Sequence, residues 1–243
     1  MLYKFSVTKD YVCKWGLNEA VREILQNAID SSGEMVLNID KDGGELEITS
    51  LGIVLPQSTL LLGQSSKRND PNKVGLNGEG SLLALLVLAR NGYEVTIYNG
   101  DNIWTPCFEY SEEFNTDIFC IKEESGDGED LRYIIKGLQE WELENLVSEF
   151  PTLRQAITGE KYKSIKTNYG EIITDKEYSG KMFVNGLPIY SDDNFKYGYN
   201  FESKYVQLDR DRKSINIYEL KRLTSLAMTY MDEPDFDLLD RLI

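Results

Sequence analysis

The sequence predicts an α/β fold of the α+β type, a two-layer sandwich in which helices cover one face of a mixed, mostly antiparallel sheet. Segments with helical spacing of apolar residues alternate in blocks with short segments in which apolar and polar residues alternate. Hydrophobic residues make up 41% of the 243 residues, which is enough to build a core. We expect a main domain over residues 1–150 and an extension over residues 151–243 that packs on it.

The first elements are a helix and a hairpin. Residues 18–30 have apolar side chains at helical spacing, with Asn18 as a plausible N-cap and Gly33 just beyond the end. The alternating runs 35–40 and 45–49 are joined by a glycine-containing turn, which is typical of a β-hairpin. Residues 63–80 are polar and rich in glycine near their end, which predicts a long loop.

The later elements follow the same two patterns. Residues 81–90 predict an apolar helix, and residues 141–150 predict a second helix that Pro151 closes. Tyr197, Tyr199 and Phe201 are interpreted as core and edge aromatics. The remaining predicted elements are strands over residues 93–98, 104–110, 117–122, 131–136, 181–190, 197–201 and 205–208, and a helix over residues 218–231.

Composition excludes several classes of function. The formal net charge of −15 argues against a general binder of nucleic acid or anionic membrane. Three cysteines at wide spacing and no histidine argue against a disulfide framework, a zinc site and imidazole catalysis. The longest apolar run is too short to span a membrane. We expect a cytoplasmic protein.

Three polar residues on the first helix suggest a site. Glu23, Asn27 and Asp30 fall at i, i+4 and i+7, so their side chains form one stripe. An amide oxygen is a suitable ligand for Mg²⁺, and a carboxylate one turn away can orient and deprotonate a water molecule. A polar face on an amphipathic helix is, however, usually just solvated.

A glycine cluster supplies a second motif. Gly75, Gly78 and Gly80 form a G-x-x-G-x-G pattern directly before an apolar helix. At this position, backbone N–H groups and a helix N-terminus could bind a polyphosphate. Glycine clusters also make ordinary tight turns, and this pattern is neither a dinucleotide-binding fingerprint nor a Walker A motif.

The two motifs together resemble the GHKL (Bergerat-fold) ATPases, which include gyrase B subunits, MutL proteins, the Bergerat-type heat-shock chaperone and MORC proteins. The resemblance implies bound ATP and Mg²⁺, with Glu23 as general base, Asn27 as metal ligand and Lys67 as a contact from a lid. It further implies an ATP-dependent homodimer. The remaining nucleotide-binding positions that it implies are Asp30, Ser50, Gly52, Gly75, Asn77, Gly78, Glu79 and Gly80.

The chain departs from the family pattern at the position that would bind adenine. Ser50 stands where the family has an aspartate that accepts from the adenine amino group, and Val54 replaces the second glycine of that turn. The resemblance also implies a transducer-like extension, in which Arg210 or Arg212 would reach the terminal phosphate. Surface ion pairs between alternating Asp and Arg residues are the simpler interpretation of that segment.

Three functions therefore remain open. The first is slow ATP hydrolysis in which bound nucleotide orders the lid and controls self-association or docking to an unidentified protein partner. The second is a degenerate, non-hydrolysing module that acts as an acidic interaction or inhibitor protein, which would suit a phage or mobile element. The third is DNA mimicry by the acidic residues Glu112, Glu113, Glu123, Glu124, Asp127, Glu129 and Asp130.

Overall fold

The computed structural model describes residues 1–31, 33–61, 79–206 and 217–230. The chain divides into two compact units, Met1–Leu146 and Val147–Ile243. In chain order the elements are β1 (Leu2–Thr8), α1 (Leu17–Asp30), β2 (Met35–Asp40), β3 (Glu45–Ser50), α2 (Gly80–Arg90), β4 (Glu94–Asn99), β5 (Asn102–Ser111), β6 (Thr116–Ser125), β7 (Leu131–Lys136), α3 (Glu140–Glu149), α4 (Pro151–Thr158), β8 (Ser164–Thr167), β9 (Gly170–Ile173), β10 (Lys181–Val184), β11 (Leu187–Ser191), β12 (Gly198–Phe201) and α5 (Ile217–Met228).

The first unit is built on a seven-stranded antiparallel sheet. The strand order is β1-β6-β5-β4-β7-β3-β2. On one face the side chains are buried where α1 and α2 pack, as with Ile48, Ile97 and Ile135. On the opposite face cross-strand ion pairs such as Glu45–Lys136 replace apolar residues. This one-sided burial produces the predicted two-layer arrangement, and the fold class is confirmed.

The second unit contains a separate five-stranded sheet of order β11-β10-β12-β9-β8. Strands β10 and β12 run parallel, and the other neighbouring pairs are antiparallel. Tyr199 and Phe201 are fully buried beside Leu220 and Leu223 of α5, so the aromatics of residues 197–201 belong to a core, as predicted.

Helix ends are where the sequence-based elements need correction. Helix α1 begins after Gly16, not at an Asn18 cap, because Glu19 accepts a hydrogen bond from the Gly16 N–H at 2.8 Å. Pro151 does not merely end a helix but is the first residue of α4, a position where its missing N–H is not needed.

The prediction of a strand over residues 205–208 is wrong for residues 205 and 206. Ser203–Tyr205 is a short 3₁₀ turn, and residues 207 and 208 lie outside the described residues. Strands β1, β8 and β9 have no counterpart in the sequence-based prediction. No helix within the described residues is both long and apolar enough to cross a bilayer.

Candidate functional site

Only the first residue of the predicted polar stripe, Glu23, is buried, whereas Asn27 and Asp30 are half-buried. Arg22, Glu23 and Gln26 are each less than a tenth exposed. The guanidinium of Arg22 lies 3.8 Å from the carboxylate of Glu23. Arg22 thus offsets part of the cost of burying this carboxylate, and Glu23 is a candidate for chemistry because of its position against α2.

Glu23 contacts the start of α2. A Cβ atom built on Gly80 would lie 2.1 Å from Oε2 of Glu23, so a larger residue at position 80 would require this carboxylate to move. The two motifs are 57 positions apart in the sequence, yet the fold places the carboxylate of one against the first helical residue of the other. Gly80 therefore has a packing role in addition to any role in binding phosphate.

Asn27 makes the second link between the motifs. Its Nδ2 donates to the backbone oxygen of Glu23 and to Oγ of Ser81, both at 2.8 Å. The side chain of Ser81 also lies beside the buried Tyr133 on β7. Both amide hydrogens of Asn27 are thus directed at fixed acceptors, which sets the direction of its Oδ1.

The N-terminus of α2 has the features of an anion-binding helix end. The first intrahelical bond runs from the Leu83 N–H to the Glu79 oxygen at 3.0 Å, so the preceding N–H groups have no partner inside the helix. Among the described residues no side chain caps this end, and Glu79 occupies the N-cap position. These N–H groups and the helix dipole favour a negatively charged ligand.

Ser50 lies at the end of β3, where three turns meet. It is buried, and it pairs with Met35 on β2 and with Leu131 on β7. Gly52, in a left-handed conformation with φ of +66°, donates its N–H to Oδ1 of Asp130 at 2.7 Å. The backbone beyond β3 is therefore fixed to the loop that precedes β7.

Asn99 fixes the same region from β4. Its Oδ1 accepts from the Leu55 N–H at 2.7 Å, and its Nδ2 donates to the Leu55 oxygen at 3.0 Å. Val54 packs against Gly100, where an added Cβ would lie 3.0 Å from Cγ2 of Val54. The apolar side chain at position 54 is thus accommodated by a glycine across the turn.

The donor set at this site suits Mg²⁺ better than zinc. No group of three or more His, Cys, Asp or Glu side chains that could hold a metal occurs within the described part of the chain. Mg²⁺ commonly needs only one or two protein oxygens, because water and phosphate complete its octahedral shell. The oriented amide oxygen of Asn27 fits that requirement.

Gln26 adds a polar group that the sequence-based site omitted. Its side chain is fully buried, and neither its amide nitrogen nor its amide oxygen has a hydrogen-bond partner among the described residues. An amide in this condition costs about 1–3 kcal/mol relative to a satisfied one. Helical geometry places Gln26 on the same face as Glu23.

The structure brings together only part of the predicted set. It joins Glu23, Asn27, Glu79 and Gly80, and it places Asp30 half-buried at the last position of α1. Ser50 and Gly52 lie together at the end of β3. The predicted residues Lys67, Gly75, Asn77, Gly78, Arg210 and Arg212 lie outside the described residues.

Sequence reasoning missed Ser81, Tyr133 and Asp130. Ser81 follows the last glycine directly and could have been included on that ground. Tyr133 and Asp130 reach the site only through the pairing of β7 with β3 and β4, for which the sequence has no local signal.

Comparisons with known proteins give a partial family match. Residues 158–225 match the family model described as the Mycoplasma pneumoniae MPN635 N-terminal domain. An uncharacterized protein of Mycoplasma pneumoniae is 24% identical over 226 residues, which cover 86% of this chain and 89% of that protein.

Among solved structures, the chain is similar to the ATPase region of Saccharomyces cerevisiae topoisomerase II, at a TM-score of 0.45 and 13% identity over 72% of this chain. The same region bound to ICRF-187 (dexrazoxane) has a TM-score of 0.45 at 14% identity, also over 72% of this chain. The chain covers 62% and 63% of those two structures, which is less than two thirds of their length.

Proposed function

We propose that this chain is a GHKL-type nucleotide-binding protein that binds ATP with Mg²⁺ where α1 meets α2, and hydrolyses it slowly. The observation that carries the proposal is the contact of the Glu23 carboxylate with Gly80 at the N-terminus of α2. A buried carboxylate, an oriented amide and a helix N-terminus are the groups that a magnesium–triphosphate complex needs. They come from two motifs that are remote in sequence.

Each group has a distinct role in this proposal. Asn27 would hold the metal through Oδ1, and the N–H groups at the start of α2 would bind phosphate oxygens. Glu23 would orient a water molecule for attack and accept its proton. Mg²⁺, when bound, would neutralise charge on the phosphate oxygens. At the end of the site where adenine would bind, the Ser50 hydroxyl would take the place of the aspartate found in GHKL ATPases. It would supply a weaker, uncharged hydrogen-bond acceptor.

The biological output remains a proposal from the sequence. In it, bound nucleotide orders the predicted lid, residues 63–80, and thereby controls self-association into a homodimer or docking to a protein partner. We propose the cytoplasm as the place of action, consistent with three cysteines that are all free.

Calorimetric titration of ATP in the presence of Mg²⁺ tests the site. We expect the wild type to bind, and Asn27→Ala to lose at least about tenfold in affinity, since outer and inner metal ligands commonly contribute that much. Glu23→Gln should retain binding but lose phosphate release, because the amide cannot accept a proton.

Two matched variants serve as controls. Asn38→Ala removes an exposed asparagine from β2, and Glu142→Gln neutralises a buried glutamate on α3. Both should bind and turn over ATP as the wild type does. A folded wild type that binds no nucleotide would refute the proposal.

A non-hydrolysing interaction module is the second candidate. Ser50 favours this candidate, because the aspartate of GHKL ATPases is missing where adenine would bind. The nearby carboxylate of Asp130 already accepts a hydrogen bond from the Gly52 N–H. Nucleotide binding without phosphate release by the wild type, and without any difference between wild type and Glu23→Gln, would favour this candidate.

A further inference from the structure

Two of the three cysteines lie opposite each other in the hairpin of β5 and β6. Cys107 on β5 and Cys120 on β6 are direct partners in the antiparallel register, and both are free cysteines. Directly opposed residues of antiparallel strands have Cα atoms about 4.5–5.5 Å apart and side chains on the same face. A disulfide spans Cα distances of about 4.4–6.8 Å. Backbone pairing therefore holds the two thiols at a separation that a disulfide can bridge.

This cysteine pair lies on the polar face of the sheet. The neighbouring cross-strand pair on the same face, Thr105 and Lys122, is exposed. Nζ of Lys122 lies 3.7 Å from Oε1 of Glu109. Because these two residues lie on opposite sides of the cysteine pair along the strands, their ion pair crosses it. An exposed ion pair contributes little free energy, so it is a weak barrier to a small molecule that approaches the cysteines.

The two thiols differ in accessibility. Cys107 is half-buried, whereas Cys120 is fully buried. Burial raises the pKa of both thiols, and Glu109 adds to this rise. Lys122 opposes the rise at Cys107, and Lys4, the partner of Cys120 on β1, opposes it there. Cys107 is therefore the thiol that a reagent meets first, and both thiols react slowly at neutral pH.

We propose that Cys107 and Cys120 form a redox-modification site, at which a small-molecule disulfide converts the two thiols into a reversible cross-strand disulfide. The thiolate of Cys107 attacks one sulfur of the small disulfide and displaces the other sulfur as a thiolate. The thiolate of Cys120 then attacks Sγ of Cys107 and displaces the second small thiolate. The two released thiolates take up the two protons that the cysteines lose. The protein is thus oxidised by two electrons, and the small disulfide is reduced to two thiols.

This inference does not depend on the proposed function, since neither cysteine lies on α1 or α2. In a reducing compartment such a disulfide would be transient, forming under oxidation and returning to the thiols afterwards.

Oxidation of the full chain followed by mass spectrometry tests the site. The Cys13→Ser protein retains only the pair. It is incubated with excess oxidised glutathione, quenched with acid and denatured, and its remaining thiols are alkylated. We expect a cross-link between Cys107 and Cys120, no bound glutathione, and complete reversal by dithiothreitol. The reaction should become faster as the pH is raised from neutral, because the thiolate is the attacking form.

Substitution of either cysteine in the same background separates the two steps. Cys120→Ala should stop at a mixed disulfide between glutathione and Cys107, and Cys107→Ala should leave Cys120 unmodified. When both cysteines are present, the mixed disulfide should not accumulate. The second step should be at least about tenfold faster than the first, because its two sulfurs are held side by side.

Cys13 of the wild type is the matched control for the reagent, because it is exposed, and it should acquire glutathione. A mixed disulfide that persists on Cys107 in the Cys13→Ser protein would overturn the inference. An unreacted pair under conditions that modify Cys13 in the wild type would do the same. So would a cross-link that forms only in urea, because the native pairing of the strands would then not be its cause.

Discussion

The contact between Glu23 and Gly80 limits the size of the side chain that position 80 can hold. The place that a Cβ of residue 80 would take is already occupied by Oε2 of Glu23, at 2.1 Å. Alanine normally favours a helix over glycine by about 1 kcal/mol, so Gly80→Ala would be stabilising if no contact existed. The sign of the measured effect therefore reports on the contact.

We expect Gly80→Ala to lower the free energy of unfolding by about 1–3 kcal/mol, the usual effect of overpacking. In a Glu23→Ala background the same substitution should be neutral or stabilising, because the obstructing carboxylate is gone. Urea unfolding of the two single variants and the double variant gives the coupling energy. Additive effects in this cycle would show that the two residues do not touch in solution.

At the residue scale, the sequence selects Glu23, Asn27 and Gly80 from their spacing and from the family resemblance. The structure places these three residues close together, and their role in binding stays a prediction. Gln26 was passed over, because nothing in the sequence shows that the amide next to Asn27 on the same helix is fully buried. Burial depends on what covers a helix face, and periodicity reveals only which residues share that face.

At the scale of elements, Arg90 connects the end of α2 to the segment before α1. Its Nη1 donates to the backbone oxygens of Lys9 and Tyr11, both at 2.9 Å, and its Nη2 donates to the Trp15 oxygen at 2.8 Å. Val12 in this segment has a φ of 48°, which is unfavourable for a β-branched residue. The guanidinium thus stabilises a strained loop that leads into the helix of Glu23.

Arg90→Lys should lower the free energy of unfolding by about 2 kcal/mol, since lysine keeps the charge but cannot reach several carbonyls at once. Hydrogen exchange followed by mass spectrometry should show faster exchange over residues 9–16. Arg154→Lys, which alters a half-exposed ion pair with Glu177 in the second unit, should change stability by at most about 0.5 kcal/mol. Similar losses in both variants would contradict the role given to Arg90.

Most elements could be predicted because their patterns are local. The hairpin of β2 and β3 follows from alternation around a glycine turn, and α2 follows from a continuous apolar run. Strand β1 escaped prediction because its pairing partner, β6, lies more than 100 positions away and its own burial is uneven. The order of the seven strands has no local signal at all.

At the scale of the whole molecule, charge is unevenly distributed. Residues 1–146 hold 25 of the 41 acidic residues and 12 of the 26 basic ones, so nearly all of the net negative charge belongs to the first unit. The unit proposed to bind ATP therefore repels polyphosphates at long range. Binding must rely on short-range groups such as the N–H groups of α2 and the metal.

Two tyrosines of the first unit make the fold sensitive to alkaline pH. Burial raises the pKa of Tyr133 to about 12, and partial burial together with Glu142 also raises the pKa of Tyr93. A raised folded-state pKa means that the stabilisation is complete below pH 10 and is lost as the pH rises toward 12. The free energy of unfolding should fall in that window by up to about 1.4 kcal/mol per pH unit for each such group.

Urea unfolding at pH 8, 10 and 11 tests this expectation. Tyr133→Phe should be less stable than the wild type at pH 8 but should lose stability less steeply above pH 10. Tyr218→Phe, at a largely exposed position, should follow the wild-type curve. Parallel curves for the wild type and Tyr133→Phe would contradict the assignment.

The hydrogen bonds of Asn99 and Asp130 have a kinetic consequence. They join Leu55 and Gly52 to neighbouring loops through bonds within the protein itself, so we expect the end of the proposed site beside Ser50 to be formed before nucleotide binds. A preorganised surface loses little conformational entropy on binding. A base that enters there should bind in one step, with an observed rate that rises linearly with nucleotide concentration. A rate that reaches a plateau would then report a rearrangement elsewhere in the chain.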